Sequence, residues 1–227
     1  MTCGAIIPAA GQASRFGPED KTLVRIAGQP VLEWTLRALI NANVLSQVVV
    51  VVSDANQFPV IDLISRIESA VPIGTVRGGA LRMESVRAGV RALDESCELV
   101  LIHDAARPAV SPELAATAVN AATEHGAVIP GTPVTDTIKR VEHDVVVGTI
   151  DRRELIAVQT PQVFRRDWLI AAYDTFPPDI EATDEAAILE AAGYAVHVIP
   201  GDPANIKVTT ATDALVAEAI LHRNGSS

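Results

Sequence analysis

The segment Pro8-Ala9-Ala10-Gly11-Gln12-Ala13-Ser14-Arg15-Phe16-Gly17, followed by Asp20-Lys21-Thr22-Leu23, sets small residues and two cations directly behind a short apolar run. Small side chains let backbone N–H groups approach a bound anion closely. Arg15 and Lys21 bring fixed positive charge to the same stretch. Phosphate binding is the chemistry such a loop can do. Neither common nucleotide signature is present, since there is no G-x-G-x-x-G and no G-x-x-x-x-G-K-[ST]. On spacing alone the segment is equally an ordinary βα loop with two solvated cations.

Further along, Val100-Leu101-Ile102-His103-Asp104-Ala105-Ala106-Arg107-Pro108 places Asp104 and Arg107 behind a buried run. Charge at the end of a buried strand points to a site, although Asp104 can also cap a turn and Arg107 alone reads as a surface residue. Pro133-Val134-Thr135-Asp136-Thr137-Ile138-Lys139 and Thr160-Pro161-Gln162-Val163-Phe164 add hydroxyls. In Thr183-Asp184-Glu185-Ala186 the first residue reads as a helix N-cap and the two acids as first-turn charges that complement the dipole. Thr183 is also free to face a site. Asn205-Ile206-Lys207-Val208-Thr209 holds Lys207 between apolar neighbours, where a purely solvated charge is a poor reading. His103, His125, His143, His197 and His222 show no H-x-x-x-H or H-E-x-x-H spacing, so structural or surface roles are expected. Cys3 and Cys97 make no C-x-x-C pattern, which argues against a disulfide framework or a thiolate zinc site.

The elements that must position these residues alternate. Strands are expected at 5–8, 47–52, 73–77, 99–103 and 127–130, and helices at 30–43, 58–70, 82–94 and 112–125. The run of valines at 48–52 fits a strand covered on both faces. Ser111-Pro112 opens its helix with a cap and a proline at the first position. Repeated strand–helix–strand units imply a three-layer α/β fold around a mostly parallel sheet. Ligands in such folds sit at the carboxyl ends of the strands, here the loops after Pro8, Arg77, His103 and Pro130. The rhythm breaks over 131–155. There 136–141 and 145–150 read as a hairpin that either packs on its own domain or reaches another subunit. Helices at 165–176, 183–192 and 210–223 and a strand at 195–199 complete the chain. Trp168, Tyr173 and Phe176 fit a core stripe, and Thr210 a helix cap.

The first loop, A-A-G-x-x-x-R-x-G followed by a lysine, resembles that of the sugar-nucleotide pyrophosphorylase-like nucleotidyltransferases. The five later segments, in their order, resemble the 2-C-methyl-D-erythritol 4-phosphate cytidylyltransferases of the non-mevalonate isoprenoid pathway, over nearly the whole chain. The resemblance implies a Rossmann-like nucleotidyltransferase domain over 1–227 with 131–155 as a protruding β-arm that embraces a second subunit in a homodimer. It implies transfer of a cytidylyl group from CTP, with Mg²⁺, to a sugar-alcohol phosphate. Arg15 and Lys21 would meet transition-state and pyrophosphate charge, while Arg152 and Lys207 position the attacking phosphate. Ala9, Ala10, Gly11, Gly79, Arg82 and Ser85 would bind the nucleotide. Asp104, Arg107, Thr137, Thr160 and Thr183 would line the sugar-phosphate pocket. Metal ligands are not implied. Two positions depart from the family pattern: Ala80, where an Asp is usual, and Asp20-Lys21-Thr22, where one branch has Pro-Lys-Gln and the molybdopterin nucleotidyltransferases have Asp-Lys. A ribitol-5-phosphate cytidylyltransferase, a molybdopterin nucleotidyltransferase and a nucleotide-sensing module without turnover are the alternatives.

Composition bounds the rest. With 227 residues, 48% hydrophobic and 20% charged, the chain can fill one generous domain and is not disordered as a whole. A net charge of −10 argues against generic nucleic-acid binding and requires a local cation cluster for any anionic substrate. No apolar run approaches membrane-spanning length, and the opening residues lack a basic n-region, so a cytoplasmic location is expected.

Overall fold

The valines at 48–52 point alternately to two cores. Val48, Val50 and Val52 pack with Leu32, Leu36, Val60 and Ala115 on one side, while Val49 and Val51 pack with Val86, Val90 and Leu169 on the other. A strand that buries both faces needs a helical layer above and below it, and this strand is the middle of such a sandwich. The computed structural model describes residues 1–11, 20, 22–177, 180 and 182–224; Arg15 and Lys21 lie outside the described residues.

In chain order the elements are β1 (Cys3–Pro8), β2 (Arg25–Ile26), β3 (Gln29–Pro30), α1 (Val31–Asn41), β4 (Gln47–Val52), α2 (Gln57–Ser65), β5 (Ile73–Arg77), α3 (Arg82–Ala92) and β6 (Leu99–Ile102). They continue as α4 (Pro112–His125), β7 (Ala127–Pro133), β8 (Ile138–Glu142), β9 (Val145–Ile150), β10 (Ile156–Val158), β11 (Gln162–Arg165), α5 (Arg166–Thr175), α6 (Glu185–Ala191), β12 (His197–Pro200) and α7 (Ala211–Asn224). Eight strands of the described residues form one sheet in the order β10-β7-β11-β6-β1-β4-β5, with β12 beside β7. The pairs β1–β4, β1–β6, β4–β5 and β12–β7 are parallel. A small third cluster joins Ile26, Val31, Ala109 and Val208 to Ala217 and Leu221 of α7.

The local signals explain most boundaries. Ser111 Oγ accepts from Leu114 N–H at 3.1 Å to start α4. Gly126 ends it with φ +81, where a Cβ would stand 2.5 Å from the Trp168 ring. Thr210 Oγ1 accepts from Asp213 N–H at 3.2 Å, and Asp213 Oδ2 accepts from Thr210 N–H at 2.8 Å, a reciprocal cap before α7. Trp168, Tyr173 and Phe176 all pack in the second core, as the stripe predicts.

Three features differ from expectation. The cap of α6 is Asp184, whose Oδ1 accepts from Ala187 N–H at 3.0 Å, and Thr183 is exposed instead. Asp184 wins because its other oxygen also takes Gln162 Nε2 at 2.7 Å, tying the helix to β11. The motif Thr160–Phe164 falls in a stretch, 156–165, for which no strand is expected and which holds β10 and β11, both antiparallel to β7. Between the pairs Val158↔Gly131 and Val163↔Val128, residues 159–162 face only 129 and 130. That bulge hides the strand pattern from periodicity. Finally, β7 runs on to Pro133, so no loop begins after Pro130.

The hairpin over β8 and β9 is a separate two-stranded sheet, turning at His143 and Asp144 with φ of 46° and 65°. Two positive φ values in succession match the turn that suits a hairpin's twist. Val141, Val145, Val146 and Val147 on it are exposed.

Candidate active site

A cavity of about 500 Å³ opens at the carboxyl ends of β1, β4, β5 and β6. Its walls are Ala9, Ala10 and Gly11 after β1, Ser53 after β4, Gly79 and Ala80 before α3, Arg82 and Ser85 on the first turn of α3, Asp104 after β6, and Thr22 and Lys207. Of the expected loops, that after β7 contributes nothing to this wall. Gly78 lets two loops meet, since a Cβ there would stand 2.6 Å from Ser85 Oγ and 2.9 Å from the Ala10 Cβ.

Asp104 is the centre of charge. Lys207 Nζ stands 2.8 Å from its Oδ2, Arg107 Nε 3.6 Å from the same oxygen, and Arg82 3.9 Å from Oδ1. Burial pushes the Asp104 carboxyl up, but Lys207, Arg82 and Arg107 outweigh it and hold it at about 2. Asp104 is therefore a permanent anion at neutral pH and too weak a base to take protons in a reaction. It can hold cations and accept hydrogen bonds from hydroxyls.

Lys207 reaches Asp104 because its loop is sewn to the β6 loop. Arg107 donates to Asn205 O at 2.7 Å, Val208 N–H to Ala106 O at 2.8 Å, and Asn205 Nδ2 to Thr160 O at 2.7 Å. The bulge carrying Thr160 completes the knot. Thr160 Oγ1 accepts from Asp104 N–H at 3.1 Å and lies 3.0 Å from His103 Nδ1. His103 Nε2 is 3.3 Å from Arg107 O, which can only accept. The proton is therefore on Nε2, and Thr160 donates to Nδ1.

His103 is fully buried, and burial lowers its imidazole from 6.5 to about 4, against the opposing pull of Asp104. A depressed histidine contributes stability that is complete above 6.5 and is lost as pH falls through about 4. Denaturant unfolding between those two pH values is expected to show a loss of ~3 kcal/mol that His103→Gln abolishes. A wild-type stability that stays flat across that interval would contradict the buried neutral ring.

Glu185, expected as a first-turn acid that complements the helix dipole, is instead fully buried, with Arg82 donating at 2.8 Å and 2.6 Å to its two oxygens. Tyr173 OH approaches the first of these at 3.4 Å. Burial pushes the Glu185 carboxyl up while Arg82 opposes it. Burial also works against the Arg82 charge, but Glu185 and then Asp104 outweigh it and hold the guanidinium above its ordinary value. Arg82 thus faces the cavity between two carboxylates. Neighbouring amides are already in use. Glu84 Oε2 accepts from Ala80 N–H at 2.8 Å and Leu81 N–H at 3.1 Å, and Ser85 Oγ from Gly79 N–H at 3.2 Å.

Among the other expected site residues, Arg107 and Thr160 lie behind the wall and hold Asp104 in place. Thr137, Arg152 and Thr183 are exposed and do not line the cavity. Arg152, on a 3₁₀ turn at the base of the hairpin, donates to Thr135 O. Lys207 alone of the four expected catalytic cations is on the described cavity wall. Among the described residues, no three His, Cys, Asp or Glu side chains gather as a metal cage.

The family model for 2-C-methyl-D-erythritol 4-phosphate cytidylyltransferase (IspD) matches residues 3–223. The enzyme of that name from Parasynechococcus marenigrum is 41% identical over 219 residues, 95% of this chain and 96% of its own. That from Bacillus licheniformis is 40% identical over 223 residues, 97% and 96% of the two chains. The crystal structure of 4-diphosphocytidyl-2C-methyl-D-erythritol synthase from Anaerococcus prevotii superposes with a TM-score of 0.86 at 31% identity, covering 98% of this chain and 99% of that one. The Thermus thermophilus cytidylyltransferase gives 0.79 at 32% identity, covering 98% and 100%. The resemblance carried by the scattered motifs thus extends through the sequence and the fold alike, and the chain belongs to the 2-C-methyl-D-erythritol 4-phosphate cytidylyltransferase family.

Proposed function

We propose that the protein joins CTP and 2-C-methyl-D-erythritol 4-phosphate to give 4-diphosphocytidyl-2-C-methyl-D-erythritol and pyrophosphate. An oxygen of the acceptor phosphate bonds to the α-phosphorus of CTP, and the bond from that phosphorus to the β-phosphate oxygen breaks. The acceptor is already an ionised nucleophile, so no general base is required, which suits an Asp104 held at about 2. The barrier is the approach of two anions and the charge growing on the leaving group, so in-line positioning and fixed cations carry the catalysis. The observation that carries this reading is the Asp104–Lys207–Arg82 cluster on the wall of a cavity that the small residues Ala9, Ala10 and Gly11 also line.

Lys207 orients the acceptor phosphate, with Arg152 from the arm, and Arg15 and Lys21 meet the triphosphate. Asp104 accepts from hydroxyls of the polyol. Mg²⁺ enters as part of the nucleotide substrate, in keeping with a described wall on which the one carboxylate, Asp104, is held by Lys207 and Arg82. Magnesium is commonly held by substrate phosphates and water with few protein ligands. Pyrophosphate release from MgCTP is expected with methylerythritol phosphate and not without acceptor. Release only with ribitol phosphate would move the acceptor assignment, and CTP binding without any release would make the chain a sensor.

The arm is proposed to pair two copies, so that Arg152 and Thr137 complete the partner's site. Support comes from the exposed Val145, Val146 and Val147, at 63%, 57% and 49%, together with Ile156 and Val158 beside the arm. Apolar side chains exposed together on one hairpin mark a surface for association. Sedimentation of a variant lacking the hairpin is expected to show a monomer where the full chain is a dimer; a dimer in both removes the arm from the interface. No helix among the described residues is long and apolar enough to cross a membrane, and a cytoplasmic location completes the proposal.

A further inference from the structure

One buried amide ties three parts of the cavity wall together. Asn56 is 2% exposed and stands just before α2. An asparagine at a helix start ordinarily caps the helix, yet its side chain makes no bond to α2. Its Oδ1 accepts instead from Ser53 N–H at 2.8 Å and Ser53 Oγ at 3.1 Å. Its Nδ2 donates to Ala9 O at 2.8 Å and to Asp20 Oδ2 at 2.6 Å. Both donors and both acceptor sites of the amide are thereby used. Asp20 Oδ1 goes on to accept from Thr22 N–H at 2.9 Å and Thr22 Oγ1 at 2.7 Å. Ala9, Ser53 and Thr22 all line the cavity. In the chain Ala9 precedes, and Asp20 follows, the segment bearing Arg15, and Asp20 is bonded directly to Lys21.

We infer that Asn56 and Asp20 form a clamp that holds the two ends of the phosphate-binding segment at a fixed separation. Asn56 is a positioning residue that acts through Ala9 and Asp20 without itself touching the substrate. The clamp uses a charge-assisted bond from a neutral amide, which is shorter and stronger than a neutral pair. It also gives Asp20 a physical role. Its carboxylate closes one turn through Thr22 while receiving the amide of another element, two tasks a residue without an acceptor could not do. The inference rests on the cytidylyltransferase reading.

The test is pyrophosphate-release kinetics on the full chain with N56A, D20A, the double variant, N56D and D20N/N56D, with melting curves for each. N56A and D20A are each expected to lower kcat/KM for CTP about 10- to 100-fold, as misplacement of a reacting group does. The double variant is expected to lose less than the product of the two single losses, because both singles remove the Asn56–Asp20 bond while each also removes bonds of its own. N56D sets a carboxylate against Asp20, a repulsion that a shared proton relieves, so its activity relative to wild type should rise on acidification. D20N/N56D should lose that pH dependence. Wild-type kcat/KM in N56A or D20A, additive losses in the double variant, or a flat N56D profile would overturn the clamp. Should the wild-type chain release no pyrophosphate, the functional reading fails and hydrogen exchange decides the clamp. Peptides covering 9–22 must then exchange about tenfold faster in D20A than in wild type, and unchanged exchange would overturn it.

Discussion

Lys207→Met is expected to lower kcat by about 10²–10³-fold, the usual loss when one preorganised electrostatic stabiliser is removed, with little change in melting temperature. Methionine keeps the length and the apolar stem of the side chain and removes only the ammonium. Lys207 is 41% exposed on its side chain, so little packing depends on it. Asp104 keeps Arg107 at 3.6 Å and Arg82 at 3.9 Å, so it stays ionised and the local fold survives. What disappears is the nearest cation on the cavity wall and the strongest single force holding the Asp104 carboxyl at about 2. The carboxyl should therefore titrate higher in the variant, a shift that carbon NMR of the labelled side chain reads directly. A kcat within a few-fold of wild type would remove Lys207 from the reaction, whatever the NMR shows.

Arg82→Met is expected to cost about 3–5 kcal/mol of stability near neutral pH, the usual penalty for leaving one member of a buried pair uncompensated. The asymmetry of exposure decides which partner matters more. Arg82 keeps 31% of its side chain exposed and can rehydrate through the cavity, whereas Glu185 keeps 1%. Removing the arginine strands a carboxylate whose remaining side-chain hydrogen-bond partner among the described residues is Tyr173 OH, at 3.4 Å. The stranded group will titrate well above its unfolded value, so the stability it withholds returns as pH falls. The gap between wild type and variant should narrow on acidification, and Arg82→Met/Glu185→Gln should recover most of the loss. Denaturant midpoints at neutral and mildly acid pH measure both effects. A gap that is constant with pH, or a double variant as unstable as the single, would mean that the pair contributes packing and not charge.

The elements were legible where local chemistry is strong. The five valines before Ser53, the Ser111-Pro112 start and the Thr210 cap each depend on neighbours within a few residues, and each reads correctly. The β5 strand and the turn through His143 and Asp144 follow for the same reason. Reading failed where a residue answers to a distant partner. Glu185 looks like any first-turn acid until Arg82, 103 positions away, turns into the same buried space. The Asn56 amide is claimed by Ala9 and Asp20, 47 and 36 positions away, a role that no local pattern announces. Thr183 loses the cap to Asp184 because Gln162, 22 positions earlier, holds the second oxygen.

From the order of its residue types alone, this chain determines an alternating α/β architecture, the strand ends at which a ligand site must form, and the set of small and charged residues delivered there. Those properties follow from periodicity and chain connectivity, which are local. Only the tertiary structure decides which charges are neutralised, which amides are already spent, and which of the delivered residues face the cavity. Those outcomes depend on burial and on partners brought together by packing, and a carboxylate in water and a carboxylate against a guanidinium are spelled with the same letter.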